Sequence, residues 1–339
     1  MNILKSNNLA LLSACLGLTV AGLTFAQSDW EMPRTPAGNP DLQGIWSNAT
    51  QTPLERPAEF GSIRGLTLEQ KEAQEARWRE VIENRAQPSD PDREAPPALS
   101  NNNPGGYNNF WVDRGTNVIE LDGEYRTSII IEPGNGQIPY QEDWRGKDLR
   151  SQLRAMPGVE AFDGPELRPL GERCLLAFGS SSGPPMMPVM YNNNYQIVQT
   201  EDYVMILVEM VHDVRIIRIG DTHRSDFARW MGESIGHWEG DTLVVETVGL
   251  HPFQSRWGFT EEAKVVERFD LIGPDKIRYN FTVEDPAVYS RSWTGEVAMN
   301  RRPSGNDRIY EYACHEGNYA FPGILGGARR LELEQAPAN

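Results

Sequence analysis

The chain has 339 residues, 39% hydrophobic and 24% charged, which is enough to close a substantial core and too apolar for a wholly disordered protein. Asp and Glu outnumber Lys and Arg 48 to 32, and the net charge of −16 leaves no basic footprint for a phosphate backbone, so nucleic acid is not an expected partner. Gly (31) and Pro (24) punctuate a sequence with 9 Trp, 11 Tyr and 11 Phe, a mixture of turn formers and aromatic strand formers that favours a β-rich fold.

The N-terminus reads as an address. Lys5 supplies a positive start, Leu9 to Phe25 is almost unbroken apolar sequence, and Thr24-Phe25-Ala26 puts small residues three and one positions before Gln27. These features predict a secretory signal peptide over 1–26 and a soluble mature chain, periplasmic or extracellular, with no stable membrane insertion. Leu12-Ser13-Ala14-Cys15 also has the form of a lipoprotein box. A lipid anchor at Cys15 is therefore the alternative, ranked second because the apolar run continues past the cysteine. Cleavage leaves Cys174 and Cys314, an even number in a compartment that permits disulfides, and they are expected to pair; two buried free thiols are the alternative.

In chain order, Trp30 to Pro57 is rich in Pro, Gly and Asn and reads as extended. Thr67-Leu68-Glu69-Gln70 forms a capping box, and the Gly- and Pro-free stretch behind it predicts a helix from about Leu68 to Arg85. Pro88 to Gly106 has little to bury and reads as a solvated connector. Hairpins are predicted around Asp122-Gly123, Thr200-Glu201-Asp202, Gly240-Asp241 and Gly273-Pro274-Asp275, with Ser292 to Met299 and Arg308 to Cys314 as the last strands. Ser225 to Gly232 reads as a turn or two of helix. About ten strands joined by short turns imply antiparallel neighbours. The expected fold is mainly β, an antiparallel meander closed or nearly closed into a barrel, with one N-terminal helix and long surface segments. The expected boundaries are 27–110 for an extended segment, helix and connector packing on the barrel, 111–333 for the barrel, and 334–339 for a tail.

Gly44-Ile45-Trp46 near the mature start, followed by a meander carrying Trp238-Glu239-Gly240-Asp241, resembles the first-strand Gly-x-Trp signature of lipocalin-type barrels, though the chain is about twice the length that one such barrel needs. Over nearly the whole mature sequence, from Pro40 to Trp46 through Tyr191 to Tyr195, Glu209 to Arg215, Thr282 to Pro286 and Tyr312 to Tyr319, the chain resembles a large family of exported bacterial β-rich proteins. That resemblance implies secretion and a single barrel-like domain, and assigns chemistry to no residue.

Five histidines are present, His212, His223, His237, His251 and His315. No His-Glu-x-x-His, Cys-x-x-Cys, Gly-x-Ser-x-Gly or phosphate-loop pattern occurs, which removes the enzyme classes that carry those motifs and leaves no organic cofactor or metal implied. Glu209-Met210-Val211-His212-Asp213 interrupts an apolar strand with an imidazole and two carboxylates. Strand alternation would put Glu209, Asp213 and Arg215 on one face and His212 on the other. In one reading His212 is a general base tuned by a carboxylate; in the other the segment is a turn in which Asp213 caps a hairpin and Glu209 pairs with Arg215. His315 and Glu316 follow Cys314 and form a second candidate acid-base pair, and a metal site gathered from His212, His315 and a carboxylate is a further option. Asp113 and Arg126 are candidates for orienting a polar group, Tyr191 and Tyr195 for flanking a ligand mouth, and Trp230 for lining an apolar pocket. Trp238, Trp257 and Trp293 read mainly as core.

Two functions follow. The first is an exported enzyme acting on a small hydrophobic or aromatic molecule by acid-base chemistry without organic cofactor, as a lyase, isomerase or hydrolase. The second is a lipocalin-like binding or carrier protein, in which the polar groups only orient the ligand. What separates them is whether Glu209, His212 and His315 reach one cavity.

Overall fold

Alternation of apolar and polar side chains dictates the architecture. The computed structural model describes residues 30–86, 112–178, 181–224, 228–254, 259–305 and 307–335. The expected signal segment with Cys15, the expected connector Pro88 to Gly106, Trp111 and Trp257 lie outside them. In chain order the elements are β1 (Gly44–Ser47), β2 (Gly65–Leu66), α1 (Leu68–Ala86), β3 (Glu120–Leu121), β4 (Glu124–Arg126), β5 (Ile130–Glu132) and α2 (Leu149–Arg154). Then come β6 (Asn194–Gln199), β7 (Tyr203–Val208), β8 (Val214–Ile219), β9 (Glu233–Glu239), β10 (Thr242–Val248), β11 (Lys264–Gly273), β12 (Lys276–Glu284), β13 (Trp293–Arg301) and α3 (Ala320–Gln335).

Strands β1 and β6 to β13 form a closed ring of nine, because β1 pairs with β6 on one side and β13 on the other. The fold is thus mainly β and a closed barrel, with one departure from a pure meander. Strands β8 and β9 are parallel, Ile217 opposite Ser234, and the long connection 220–232 joins them, as a parallel pair requires. Within that connection 225–227 lie outside the described residues, and Arg229 bridges Leu250 instead of coiling into the expected helical turn. Three α-helices are described where one was expected. At the start of α1, Gln70 N–H bonds the Thr67 hydroxyl while Gln70 Oε1 accepts from Thr67 N–H, a closed capping box. Helix α3 occupies the end of the expected barrel range and the start of the expected tail.

Two expected strands fall elsewhere. The Asp122-Gly123 turn, both residues at positive φ as a tight hairpin demands, joins β3 and β4 in a small separate sheet with β2. Residues Arg308 to Cys314 form no strand, because β12, β1 and β5 already occupy the edges of β13. Ring closure depends on the Gly-x-Trp segment. Trp46 is fully buried, its indole N–H donates to Leu42 O at 2.9 Å, and the Arg301 guanidinium lies 4.1 Å over its ring. A side chain at Gly44 would collide with that guanidinium.

The barrel interior is a packed core. Alternate residues of β11 and β12 point inward, and Phe269, Tyr279, Phe281, Trp293 and Tyr289 pack ring to ring in sequence, tilted or edge-on, with centroids 5.0 to 5.9 Å apart. Residues 181–187 are all buried and tie into the barrel: Met186 N donates to Tyr279 Oη (2.9 Å), Asn48 Nδ2 to Met186 O (3.1 Å), and Tyr195 Oη to Ser181 O (2.9 Å). Inside lies a buried ion pair. Arg215 grips Glu267 with both terminal nitrogens at 2.9 and 2.5 Å, and Tyr279 Oη donates to the same carboxylate at 2.6 Å. A lipocalin-style open lumen is not what these residues build.

Candidate functional site

Local backbone decides where the expected catalytic residues go. Between β7 and β8 the chain makes a tight turn at Met210–His212, with Val211 and His212 at φ of 62° and 48°. A β-branched residue in the left-handed region is costly, by roughly 1 to 3 kcal/mol. Burial of Met210 and Val211 against Ala177 offsets that cost and turns His212 outward. The expected single face of Glu209, Asp213 and Arg215 is therefore broken by the turn, and the three side chains part company.

Glu209 is 2% exposed; its Oε2 accepts from Asn194 Nδ2 at 2.5 Å and its Oε1 from Tyr310 N at 3.2 Å. Asp213 accepts from Ser182 Oγ (2.5 Å) and Ala177 N (3.0 Å), anchoring the loop that leads into the buried 181–187 segment. Burial raises the Asp213 carboxyl above its ordinary pKa, opposed by the Ser182 and Ala177 donors and by His212. Arg215 points into the barrel and pairs with Glu267, not Glu209. His212 is exposed, with Nδ1 3.2 Å from Tyr312 O. His315 and Glu316 are also exposed, on a turn closed by Asn318 N to His315 O at 3.2 Å. No imidazole meets Glu209, so the expected acid-base cluster is not assembled. Among the described residues no group of three or more His, Cys, Asp or Glu is placed to hold a metal.

The ligand-binding candidates divide as well. Tyr191 and Asp113 line a cavity of about 700 Å³ together with Glu209. Arg126 is held by Glu296 at 2.9 Å and lines a separate cavity beside α1, so it cannot act with Asp113. Tyr195 is fully buried, and burial pushes its phenol well above the ordinary tyrosine range. Trp230 stacks on His251 at 4.2 Å, which leaves it paired outside this cavity. Of the remaining histidines, His223 lies between Glu233 and Glu246 at 3.3 Å from each, and His237 bonds Glu239 at the surface.

The cavity has a floor of barrel residues and a wall contributed by the C-terminal segment. Asn194 and Glu209 come from the barrel rim, Phe178 and Glu172 from the loop before the buried segment, and Tyr310, Tyr312, Phe321 and Ile324 from the chain after β13. That wall is strapped down. The Cys174–Cys314 disulfide joins it to the opposite loop across 140 residues, and Asn318 Nδ2 donates to Glu172 O at 2.7 Å. Farther along α3, Arg329 donates to the carbonyls of Asp163 and Phe162. Tyr312 is half-buried against Tyr191, and burial with that neighbouring phenol pushes its pKa up to about 12. Phe178 and Tyr191 also face a second cavity of about 660 Å³ lined by Trp78, Met187 and Met210.

Asn194 belongs to the amide run that the sequence places at a ligand mouth, whereas Phe178, Tyr310, Tyr312 and Phe321 are not among the expected site residues. One signal was present, the alternation Tyr310, Tyr312, Cys314 running into an apolar stretch, which marks a cross-linked segment with one aromatic face. Compared with known proteins, the chain matches no family model and no curated protein sequence.

Proposed function

We propose that the chain is an exported binding protein for a small, largely apolar molecule, and that its site is the cavity beneath the disulfide-strapped C-terminal segment. The observation that carries this reading is the juxtaposition of five aromatic side chains and a buried, hydrogen-bonded carboxylate around about 700 Å³, a volume suited to one small ligand. The disulfide is compatible with an oxidising compartment, as the expected signal sequence and the resemblance to exported proteins would require. Catalysis is the second-ranked reading, because the expected acid-base chemistry pairs a carboxylate with an imidazole: Glu209 lines the cavity, but both favoured imidazoles, His212 and His315, lie outside the lining.

A thermal-shift screen of small aromatic and terpenoid compounds, followed by product analysis of each hit, tests the proposal. Hits are expected to raise the melting temperature, to be recovered chemically unchanged, and to lose their effect in Ala320→Trp, which fills the cavity from the first turn of α3. His212→Gln is expected to leave binding intact. Recovery of a converted product would replace the binding reading with an enzymatic one, and hits indifferent to Ala320→Trp would remove the cavity from consideration.

A further inference from the structure

The charge lining the cavity is one-sided. Asp113, Glu172, Glu209 and Glu311 all contribute to it, whereas no Lys, Arg or His does among the described residues. Glu172 is neutralised from behind by a forked pair with Arg168, at 2.9 and 3.0 Å, and Asp113 and Glu311 are solvated. Glu209 differs from all three, because it is buried and, among the described residues, accepts only from neutral N–H groups, those of Asn194 and Tyr310.

Among the other described residues a buried carboxylate is generally given a cation. Glu267 has Arg215, Glu296 has Arg126, Glu233 has Arg218 and Glu75 has Lys71. Asp285, the exception among the described residues, instead accepts three hydrogen bonds, two from Thr260 and one from Ala287. With two donors for roughly four lone-pair sites, Glu209 is neither paired nor saturated. On the same floor Asn194 is 9% exposed and its Oδ1 has no hydrogen-bond partner among the described residues, an unused acceptor beside the carboxylate. Around them stand the rings of Phe178, Tyr191, Tyr310, Tyr312 and Phe321, whose faces carry partial negative charge.

We infer that this cavity takes an organic cation, a hydrophobic amine or alkylammonium whose charged head sits between the aromatic faces and the Glu209 carboxylate. The inference rests on the reading of this cavity as a binding site and specifies its ligand. A neutral apolar ligand would leave the buried Glu209 charge uncompensated, and an anion would be repelled. A cation satisfies carboxylate and rings together, and the net charge of −16 draws it in from solution.

Isothermal titration at low and high salt tests this with three probes: benzyltrimethylammonium, its uncharged carbon isostere 2,2-dimethylpropylbenzene, and phenylacetate. The ammonium probe is expected to bind at least roughly tenfold more tightly than its isostere, with phenylacetate weakest. Added salt should weaken only the ammonium probe. Glu209→Gln should erase most of the preference; rotation of the Asn194 amide would turn its unused Oδ1 toward the new Gln N–H₂, so the fold is retained. Tyr310→Leu, at a ring 65% exposed, keeps the backbone donor to Glu209 and should weaken the ammonium probe more than its isostere. Equal binding of ammonium and isostere, both lost in Ala320→Trp, would overturn the cation assignment while leaving the binding site standing. Ammonium binding that survives Ala320→Trp, or the absence of binding by either probe, would overturn the assignment and count against the site itself.

Discussion

Replacing Glu267 by Leu should be among the most damaging single changes in this protein. The carboxylate is completely buried, and it holds an Arg215 side chain that is 1% exposed. Without it the guanidinium keeps its charge, since arginine does not deprotonate in proteins, and retains only Ser234 Oγ at 3.5 Å. Leaving one partner of a buried pair costs about 3–5 kcal/mol. The Tyr279 hydroxyl also loses its acceptor, which adds about 1–3 kcal/mol. Arg215→Met alone should cost about 3–5 kcal/mol by stranding the carboxylate. In Arg215→Met combined with Glu267→Leu both charges are gone and the volumes are nearly kept, so the net loss should fall to about 1–3 kcal/mol, owed mainly to Tyr279. Urea denaturation of the wild type, both single variants and the double variant closes the cycle, with a coupling energy above about 3 kcal/mol expected. Additive single effects, or a loss below about 1 kcal/mol for Glu267→Leu, would refute the argument that this pair is enclosed in a dry, packed barrel.

Two further outcomes are expected. Changing both Cys174 and Cys314 to Ser removes a cross-link spanning 140 residues, and chain entropy sets the loss at up to about 5 kcal/mol. Amide exchange should rise first in residues 310–324, ahead of the barrel strands, and a uniform rise across the barrel would show that the disulfide does not act as a local strap. Asp213 has its carboxyl pKa raised by burial, so its contribution to stability is fully present below the unfolded-state value and is lost as pH rises through the folded one. Asp213→Asn fixes the neutral form and should flatten the decline in unfolding free energy as pH rises above the ordinary aspartate range; parallel curves for variant and wild type would remove that assignment.

Local signals were legible wherever one residue type satisfies one short-range demand. The Thr67 to Gln70 capping box, the Asp122-Gly123 turn and the alternation along β11 and β12 each depend on backbone geometry within a few residues, and each appears at its expected place. The pairing of Cys174 with Cys314 followed from cysteine number and the expected compartment, without knowledge of what separates them. The placement of Glu209, His212, Asp213 and Arg215 did not follow, because period-two alternation holds only while the strand continues. Burial of Met210 and Val211 against Ala177 stabilises a left-handed turn that no local preference would select, and one turn redirects every side chain around it. Nor was the parallel β8–β9 pair visible, since it depends on how a nine-stranded ring closes through β1. The candidate site joins residues 113, 172, 194, 209 and 310–324. Only tertiary structure brings them together, because its wall is an extended segment excluded from an already occupied sheet edge and held down by a cross-link, and such contacts have no period in the sequence.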